Sequence, residues 1–506
     1  MRKLPRPRDR KMKDMYLFRQ FVLVIAFGVF SGGFFPSVSA EVTNIVWILG
    51  EDICPDLGCY GTKGVKTPHL DRLAAEGVRY TRAFTTSPVC STSRSAMMTG
   101  MYQNAIGANQ HRTANKKPLP SHVIPFPLLL QKAGYHTGLM ASRKLDLNFT
   151  HQSKELFPGG DWKNAGSKPF MVQVTFANTH RTWRRYPGLP VDPKEVEVPP
   201  YYPDTPLVRR DIADGLSEMQ KLDQLVGGVL KRLEDEGLAE KTLVVFIGDH
   251  GRCQVRGKQF LYDSGVQVPL IIRWPGRVKP GTVNEDLVSS IDVTATVLAA
   301  AGVGVPKWMH GRDLFDGKSP KRDYVMLARD KMDATHDSMR GCRDKRFKYI
   351  DNLMPERAWC QLNEYKERSY PVLALLNVMH LKGELNEVQD RFMKATKPEE
   401  ELFDIVADPF ETKNLAGDPK YKADLERLRG VVNSWRKEIG DEGVSESFRK
   451  GGWSSKYPTR SLAQWEKMLA DWEKQVMSPG GLGGGQGKKN RKKKGSRPKK
   501  SEAKKE

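Results

Sequence analysis

The chain reads as α/β, with a large central, mostly parallel sheet flanked by helices, and a smaller C-terminal α+β domain built on an antiparallel sheet. Three observations predict this. Its 506 residues exceed what one ordinary hydrophobic core organises. From residue 41, short apolar runs alternate with amphipathic stretches of helical period, the pattern of strands covered by helices. Beyond about residue 324 the apolar runs become short and charged, which marks a change of architecture.

The elements follow in order. Residues 1–20 are basic, 21–30 are apolar, and small residues at Val38, Ser39 and Ala40 precede Glu41. This is the layout of a secretory signal peptide cut near Ala40, with a retained anchor as the alternative, because the apolar run is short for a membrane span. The first strand is 44–49. Thr67 and Pro68 open a helix as N-cap and first-turn proline, Leu70, Leu73 and Ala74 give it an apolar face, and Gly77 stops it. Further strands are expected at 135–140, 170–176, 242–247 and 268–273. A long helix over 206–236 carries Ile212, Met219, Leu222, Val226, Val229 and Leu233 at helical spacing. The boundaries predicted are 1–40 for the leader, 41–323 for the catalytic domain, 324–477 for the smaller domain and 478–506 for a Gly/Lys-rich tail. The smaller domain has a strand at 347–350, a helix at 421–439, and a last helix with Leu462, Trp465, Leu469, Trp472 and Val476 on one face. The tail is too polar to bury a core and is expected to be disordered.

Hydrophobic residues make up 39% and charged residues 28%, with 10 Trp, 15 Tyr and 20 Phe, so the body is a folded globule. The net charge is +22, which for the whole chain points to nucleic acid, an anionic surface or an acidic polymer. Its distribution narrows that choice. Residues 1–20 contribute +6 and residues 488–506 contribute +9, leaving about +7 for everything between. A mildly basic exported body has no evident nucleic-acid partner. Six cysteines, Cys54, Cys59, Cys90, Cys253, Cys342 and Cys360, are too sparse for a disulfide scaffold.

Ligands of open α/β sheets bind beyond the carboxyl ends of strands. Glu51 and Asp52 follow the first predicted strand, and Asp249 and His250 follow that at 242–247. His180 follows 170–176, while Lys144 and Asp146 follow 135–140. A carboxylate after a strand is often only a helix cap, but four such sites on one edge are not explained by capping. Cys90 lies after a turn and opens a helix, where unpaired N–H groups favour an anion or a thiolate; a buried inert thiol is the bland reading. Three clustered acids need a cation. A hard divalent ion fits, and His250 leaves zinc open. With Arg94, Lys144 and Lys258 nearby, the chemistry indicated is transfer of a sulfuryl or phosphoryl group.

These motifs resemble the type I, formylglycine-dependent sulfatases of the alkaline phosphatase superfamily. NIVWILGED (44–52) with LGCYG (57–61) is similar to the opening metal motif, TPHLD (67–71) to the next block, and CSTSRSAMMTG (90–100) to the signature whose cysteine becomes formylglycine. VFIGDHG (245–251) with Lys258 resembles the second metal motif, and EELFDIVADPFETKNLA (400–416) the closing motif of the small domain. The resemblance spans about residues 44–433. It implies one calcium ion held by Glu51, Asp52, Asp249 and His250, with the hydrated aldehyde from Cys90 upon it. One hydroxyl of that diol would attack sulfur, and the other would expel sulfate and restore the aldehyde. Arg94 and Lys144 would fix diol and sulfate, while His180 and Lys258 would neutralise sulfate and protonate the leaving group.

Three positions depart from the family pattern: Thr92 for proline or alanine, Asp146 for histidine, and Glu51 for aspartate. The Glu-Asp opening, the Lys-x-Asp triplet and Asp161-Trp162 look most like the heparan N-sulfatase (sulfamidase) branch. The implied partners are a sulfated carbohydrate and a sulfatase-maturing enzyme. A phosphate or phosphonate monoesterase, or a catalytically silent binder of sulfated glycans, is the alternative. Arg329, Asp330, Asp333 and His336 are expected, with Asp146, to border the pocket and select the substrate; ordinary surface charge is the bland alternative.

Overall fold

The computed structural model describes residues 43–361, 363–451 and 460–483. The expected leader, and the tail beyond residue 483, lie outside the described residues. Eleven described strands form two sheets. The larger contains β1 (Asn44–Gly50), β2 (Val78–Phe84), β3 (His136–Ala141), β4 (Phe170–Phe176), β5 (Thr242–Gly248), β6 (Leu270–Arg273) and β7 (Thr282–Ser289), in the order β3-β4-β1-β5-β6-β2-β7. The smaller contains β8 (Val325–Arg329), β9 (Met339–Arg343), β10 (Phe347–Asn352) and β11 (Glu400–Asp404), antiparallel throughout.

β1 pairs in parallel with β4 on one side and β5 on the other, so the carboxyl ends of all three converge. Only β6 runs against its neighbours, β5 and β2. Two reversals restore the common direction, and the end of β2, which leads to Cys90, therefore faces the same edge.

Strand periodicity divides the core in two. Ile45, Trp47 and Leu49 of β1, with Leu243, Val245 and Ile247 of β5, enter the cluster that also receives Met97 and Phe126. Val46 and Ile48, with Val244 and Phe246, enter the opposite cluster, where Met219, Leu222, Val226 and Leu233 of the Pro206–Asp235 helix cover them. This continuous apolar character is the signature of strands buried on both faces. The small sheet uses the same alternation: Val325 and Leu327 join one cluster, while Met326 and Ala328 pack under Leu428, Val432 and Trp435 of the Lys422–Glu438 helix.

Two local expectations change. Thr67 precedes the Pro68–Glu76 helix but does not cap it with its side chain. Its hydroxyl instead accepts from the Gly58 N–H at 2.8 Å and donates to Asp71 at 3.0 Å, fastening the loop after Asp52 to the helix. The chain after Ser478 was expected to be loose from its first residue. Residues 478–483 are instead held to the body, with Arg185 donating to the Ser478 carbonyl at 2.6 Å.

Candidate active site

Cys90 is the first residue of the Cys90–Thr99 helix, all ten residues of which are buried. Hydroxyls bind the turn ahead of it. Thr92 Oγ1 lies 2.6 Å from Ser87 Oγ and donates to the Val89 carbonyl at 3.0 Å, and Ser93 Oγ donates to the Asp249 carbonyl at 2.5 Å. Residue 92, a departure from the family pattern, thus has a definite structural task here.

The strand ends meet this helix. Asp249 N–H donates to the Gly50 carbonyl at 3.0 Å, and Asp52 N–H donates to Asp249 Oδ1 at 2.8 Å. Asp52 has φ of 55°, a left-handed turn that a short polar side chain tolerates, and it swings the carboxylate inward. Gly251 is obligatory after His250, because a Cβ there would stand 2.3 Å from the Ser264 carbonyl oxygen.

Ligand atoms of Asp52, Cys90, Asp249 and His250 all lie within 4.8 Å of one another, and all four residues are buried. Cys90 Sγ is 3.1 Å from His250 Nε2, 3.3 Å from Lys258 Nζ and 3.7 Å from Asp52 Oδ1. Lys258 Nζ reaches Asp52 Oδ2 at 2.9 Å. His250 Nδ1 donates to the Gly251 carbonyl at 2.9 Å, which leaves Nε2 facing the cluster. Arg94 grips Asp249 through Nε and Nη2, both at 2.9 Å, and reaches Glu51 Oε1 at 3.1 Å. Lys144 Nζ donates to Glu51 Oε2 at 2.9 Å. Glu51, expected as a metal ligand, is thus one step back from the four-residue cluster, though its buried Oε1 makes no hydrogen bond.

The electrostatics express an excess of buried negative charge. Burial would raise Asp52, but Lys258, His250 and His180 outweigh it and hold the carboxyl well below its ordinary range. Burial disfavours a charged His250, yet Asp249 and Asp52 lift it to about 10. A proton on His250 therefore occupies the place a cation would take. Two carboxylates and one imidazole nitrogen, with the Glu51 oxygen that pairs with Arg94 but accepts no hydrogen bond close behind, suit a divalent ion.

His180 stands at the solvent side, 24% exposed, with Nε2 3.9 Å from Asp52 Oδ2. Its Nδ1 donates to the Arg181 carbonyl at 2.7 Å. Arg181 is itself locked to Asp211 at 2.5 and 2.6 Å. The Tyr365 ring packs beside both His180 and Lys258.

The expected specificity residues separate. Asp146 joins the site, 3.6 Å from Lys144 Nζ, and accepts two hydrogen bonds from Arg112. Asp333 is an exposed turn residue whose charge is felt by Arg112. Arg329 and Asp330, expected at the pocket border, are instead buried in an ion-pair network with Asp337 and Arg340. His336 stacks on Phe448 and its Nδ1 donates to the Phe448 carbonyl at 3.1 Å. Arg329 and Asp330 thus tie β8 to β9, and His336 ties the turn between them to the Glu446–Lys450 helix.

Arg112 and His111 are the residues that sequence reasoning missed. They lie in a loop far from any strand end, with no motif around them. His111 Nδ1 is 2.8 Å from Ser91 Oγ, and Arg112 N–H donates to the same oxygen at 3.2 Å, which seats both beside Cys90.

Comparison with known proteins accords with this geometry. The profile described as Sulfatase matches residues 43–154 and 142–303, and that described as N-sulphoglucosamine sulphohydrolase, C-terminal, matches residues 248–373. The chain is 35% identical over 455 residues to an ulvan-active sulfatase of Formosa agariphila, covering 79% of this chain and 76% of that protein. It is 27% identical over 464 residues to the human N-sulphoglucosamine sulphohydrolase, covering 80% and 92%. Among solved structures, a 2-O GAG sulfatase superposes with a TM-score of 0.59 at 20% identity, covering 84% of this chain and all of that one. The extent of these matches, over a buried cysteine set among two carboxylates, a histidine and a lysine, establishes that the chain belongs to the sulfatase family and is a sulfuric ester hydrolase.

Proposed function

We propose that the protein is an exported sulfatase that removes sulfate from an acidic polysaccharide, using a formylglycine made from Cys90 and a calcium ion. Calcium would be held by Asp52, Asp249 and His250, with Glu51 completing the set. The observation that carries this reading is the approach of Cys90 Sγ to both His250 Nε2, at 3.1 Å, and Lys258 Nζ, at 3.3 Å, inside a buried cluster of acids. Export rests on the basic and apolar run of residues 1–40. The polysaccharide reading draws on the ulvan and N-sulphoglucosamine relatives.

A divalent cation, when bound, would offset charge on the sulfate oxygens, and the hydrated aldehyde would supply the oxygen nucleophile. The chain's own residues do the rest. Arg94 fixes Asp249 and Glu51 in place, so the acids are held before substrate arrives. Lys258 is buried directly over residue 90; burial opposes its charge, but Asp52 and Cys90 keep it an ammonium, ready to face a sulfate oxygen. Lys144 offers a second ammonium; burial again opposes, and Cys90 and Glu51 raise it. His180 presents Nε2 to the open side, where it can pass a proton to the leaving oxygen or nitrogen.

Two measurements test the reading. Peptide mass spectrometry after co-expression with a sulfatase-maturing enzyme should show residue 90 lighter than cysteine. Sulfate release from ulvan or heparan sulfate oligosaccharides should accompany it, exceed phosphate release from matching monoesters, and vanish in Cys90→Ala. An active enzyme whose residue 90 remains a thiol would refute the mechanism.

A further inference from the structure

The cleft beside the cluster is far larger than a sulfate group. Its volume is about 720 Å3, within the roughly 300–1,000 Å3 of small-molecule sites, so sugar rings fit alongside the scissile bond. Lys144 and His180 line it. So do residues from a distant part of the sequence, Trp472 and Gln475 of the Leu462–Val476 helix, together with Arg184 and Arg368.

This helix is fastened firmly. Ser461 and Gln464 form a capping box at its start, and Trp465 is buried against Ala374 and Val378. At its end, Arg185 donates from Nη2 to the Val476 carbonyl at 2.8 Å and from Nη1 to the Ser478 carbonyl at 2.6 Å, while Nε and Nη2 hold Asp214 at 2.9 Å. Arg185 belongs to the same loop as His180. The position of Trp472 is thereby tied to the catalytic loop.

The charge of the cleft is one-sided. Glu51 is spent on Arg94 and Lys144, and Glu218 on Asn178, Tyr186 and the Arg184 N–H. Arg368 pairs with Glu364 at the rim. The Arg184 guanidinium is exposed and hydrogen-bonds to none of the described residues. A half-buried indole and a guanidinium without a hydrogen-bond partner among the described residues, lining one cleft, make a site for a pyranose ring that carries an anion.

We propose that Trp472 and Arg184 form a subsite for the sugar next to the sulfated one, in an acidic oligosaccharide. The ring stacks on Trp472, and its carboxylate or sulfate pairs with Arg184. This rests on the polysaccharide reading above, and it makes the C-terminal helix part of substrate recognition.

The test is binding without turnover. Full-length Cys90→Ala protein is titrated by calorimetry with size-defined tetrasaccharides of ulvan and of heparan sulfate. Trp472→Ala in that background should raise Kd tenfold or more, and Trp472→Phe should stay within threefold. Arg184→Gln should raise Kd and flatten its salt dependence. Carboxyl-reduced tetrasaccharides identify the anion: if they bind as Arg184→Gln does, it is a carboxylate, and if they bind as the parent does, it is a sulfate. In the active enzyme Trp472→Ala should raise KM for the tetrasaccharide while leaving turnover of a small aryl sulfate within twofold. Unchanged Kd in Trp472→Ala, equal loss on both substrates, or no binding of any tetrasaccharide would overturn the subsite. Failure of the polysaccharide reading shows differently, as wild-type enzyme that binds these oligosaccharides and releases no sulfate.

Discussion

Arg112 donates two hydrogen bonds to Asp146, Nε to Oδ1 at 3.0 Å and Nη2 to Oδ2 at 2.7 Å. Many sulfatases resembled by this sequence have a histidine at the position of Asp146, so the acid looks at first like a lost sulfate donor. The structure gives the acid a different partner. Asp146 is held below its ordinary range; burial would raise it, but Arg112 prevails, and the carboxylate fixes a guanidinium at the mouth of the site.

Arg112→Ala should therefore lower kcat/KM for sulfate release by about 10- to 100-fold, as loss of a charge-assisted hydrogen bond of roughly 1.5–3 kcal/mol implies. Asp146→Ala, which frees Arg112 without removing it, should lose less. Steady-state kinetics of both variants check this, and an Arg112→Ala enzyme with unaltered kcat/KM would show that the pair is only structural.

Asp211 positions His180 through Arg181, a buried pair closed at 2.5 and 2.6 Å, and the Arg181 carbonyl accepts from His180 Nδ1. Asp211→Ala leaves a buried guanidinium uncompensated and should cost about 3–5 kcal/mol of stability. Denaturant unfolding measures that cost. At temperatures where the variant is folded, its kcat should fall more than its KM changes.

Metal removal should act on both stability and turnover. Without a cation the acids rely on Arg94, Lys258 and a protonated His250. A chelator should abolish sulfate release and lower Tm. Calcium at about 100 times its Kd should restore about 2.7 kcal/mol. Differential scanning calorimetry across a calcium series decides the point; a Tm indifferent to calcium and chelator would remove the cation from the site.

Lys366 is buried, its ammonium nitrogen 3.4 Å from the Val255 carbonyl and over the Phe260 ring, and burial together with Arg329 and Lys258 outweighs Cys360 and pushes it down to about 7. Its unfolded value is roughly 10.4, so between about pH 7 and 10.4 the unfolded chain holds a proton that the folded chain lacks. Stability from this group therefore rises with pH across that window, and below pH 7 the full penalty applies. Lys366→Met should stabilise the protein at pH 6 by up to about 4 kcal/mol, with the advantage shrinking towards pH 10. Paired denaturant titrations at pH 6 and 9.5 measure the difference, and an equal advantage at both values would contradict the assignment.

Much of the site was legible because parallel strands end in chemistry. Apolar runs located β1, β4 and β5, and the residues that follow them, Glu51 and Asp52, His180, Asp249 and His250, meet at one edge as a switch-point sheet requires. The opening of a helix at Cys90 was equally readable, since a turn followed by small and apolar residues defines it. Arg329 and Asp330 read as pocket-border residues that select substrate, because sequence reports that a residue is charged and not that Asp337 and Arg340 are waiting for it.

The amino-acid sequence by itself determined the strands β1, β3, β4, β5 and β6, the long Pro206–Asp235 helix that covers them, and the residues gathered at their carboxyl edge, since these depend on local pattern and on the period of two or 3.6 residues. Tertiary structure alone decided that Arg112 would stand beside Asp146, that Glu51 would answer to Arg94 and Lys144, and that Trp472 would line one cleft with His180. Those pairings join residues 34 to 292 positions apart, through loops and a terminal helix without periodicity. Contact there is set by how packed elements close upon one another, and no local pattern in the chain records it.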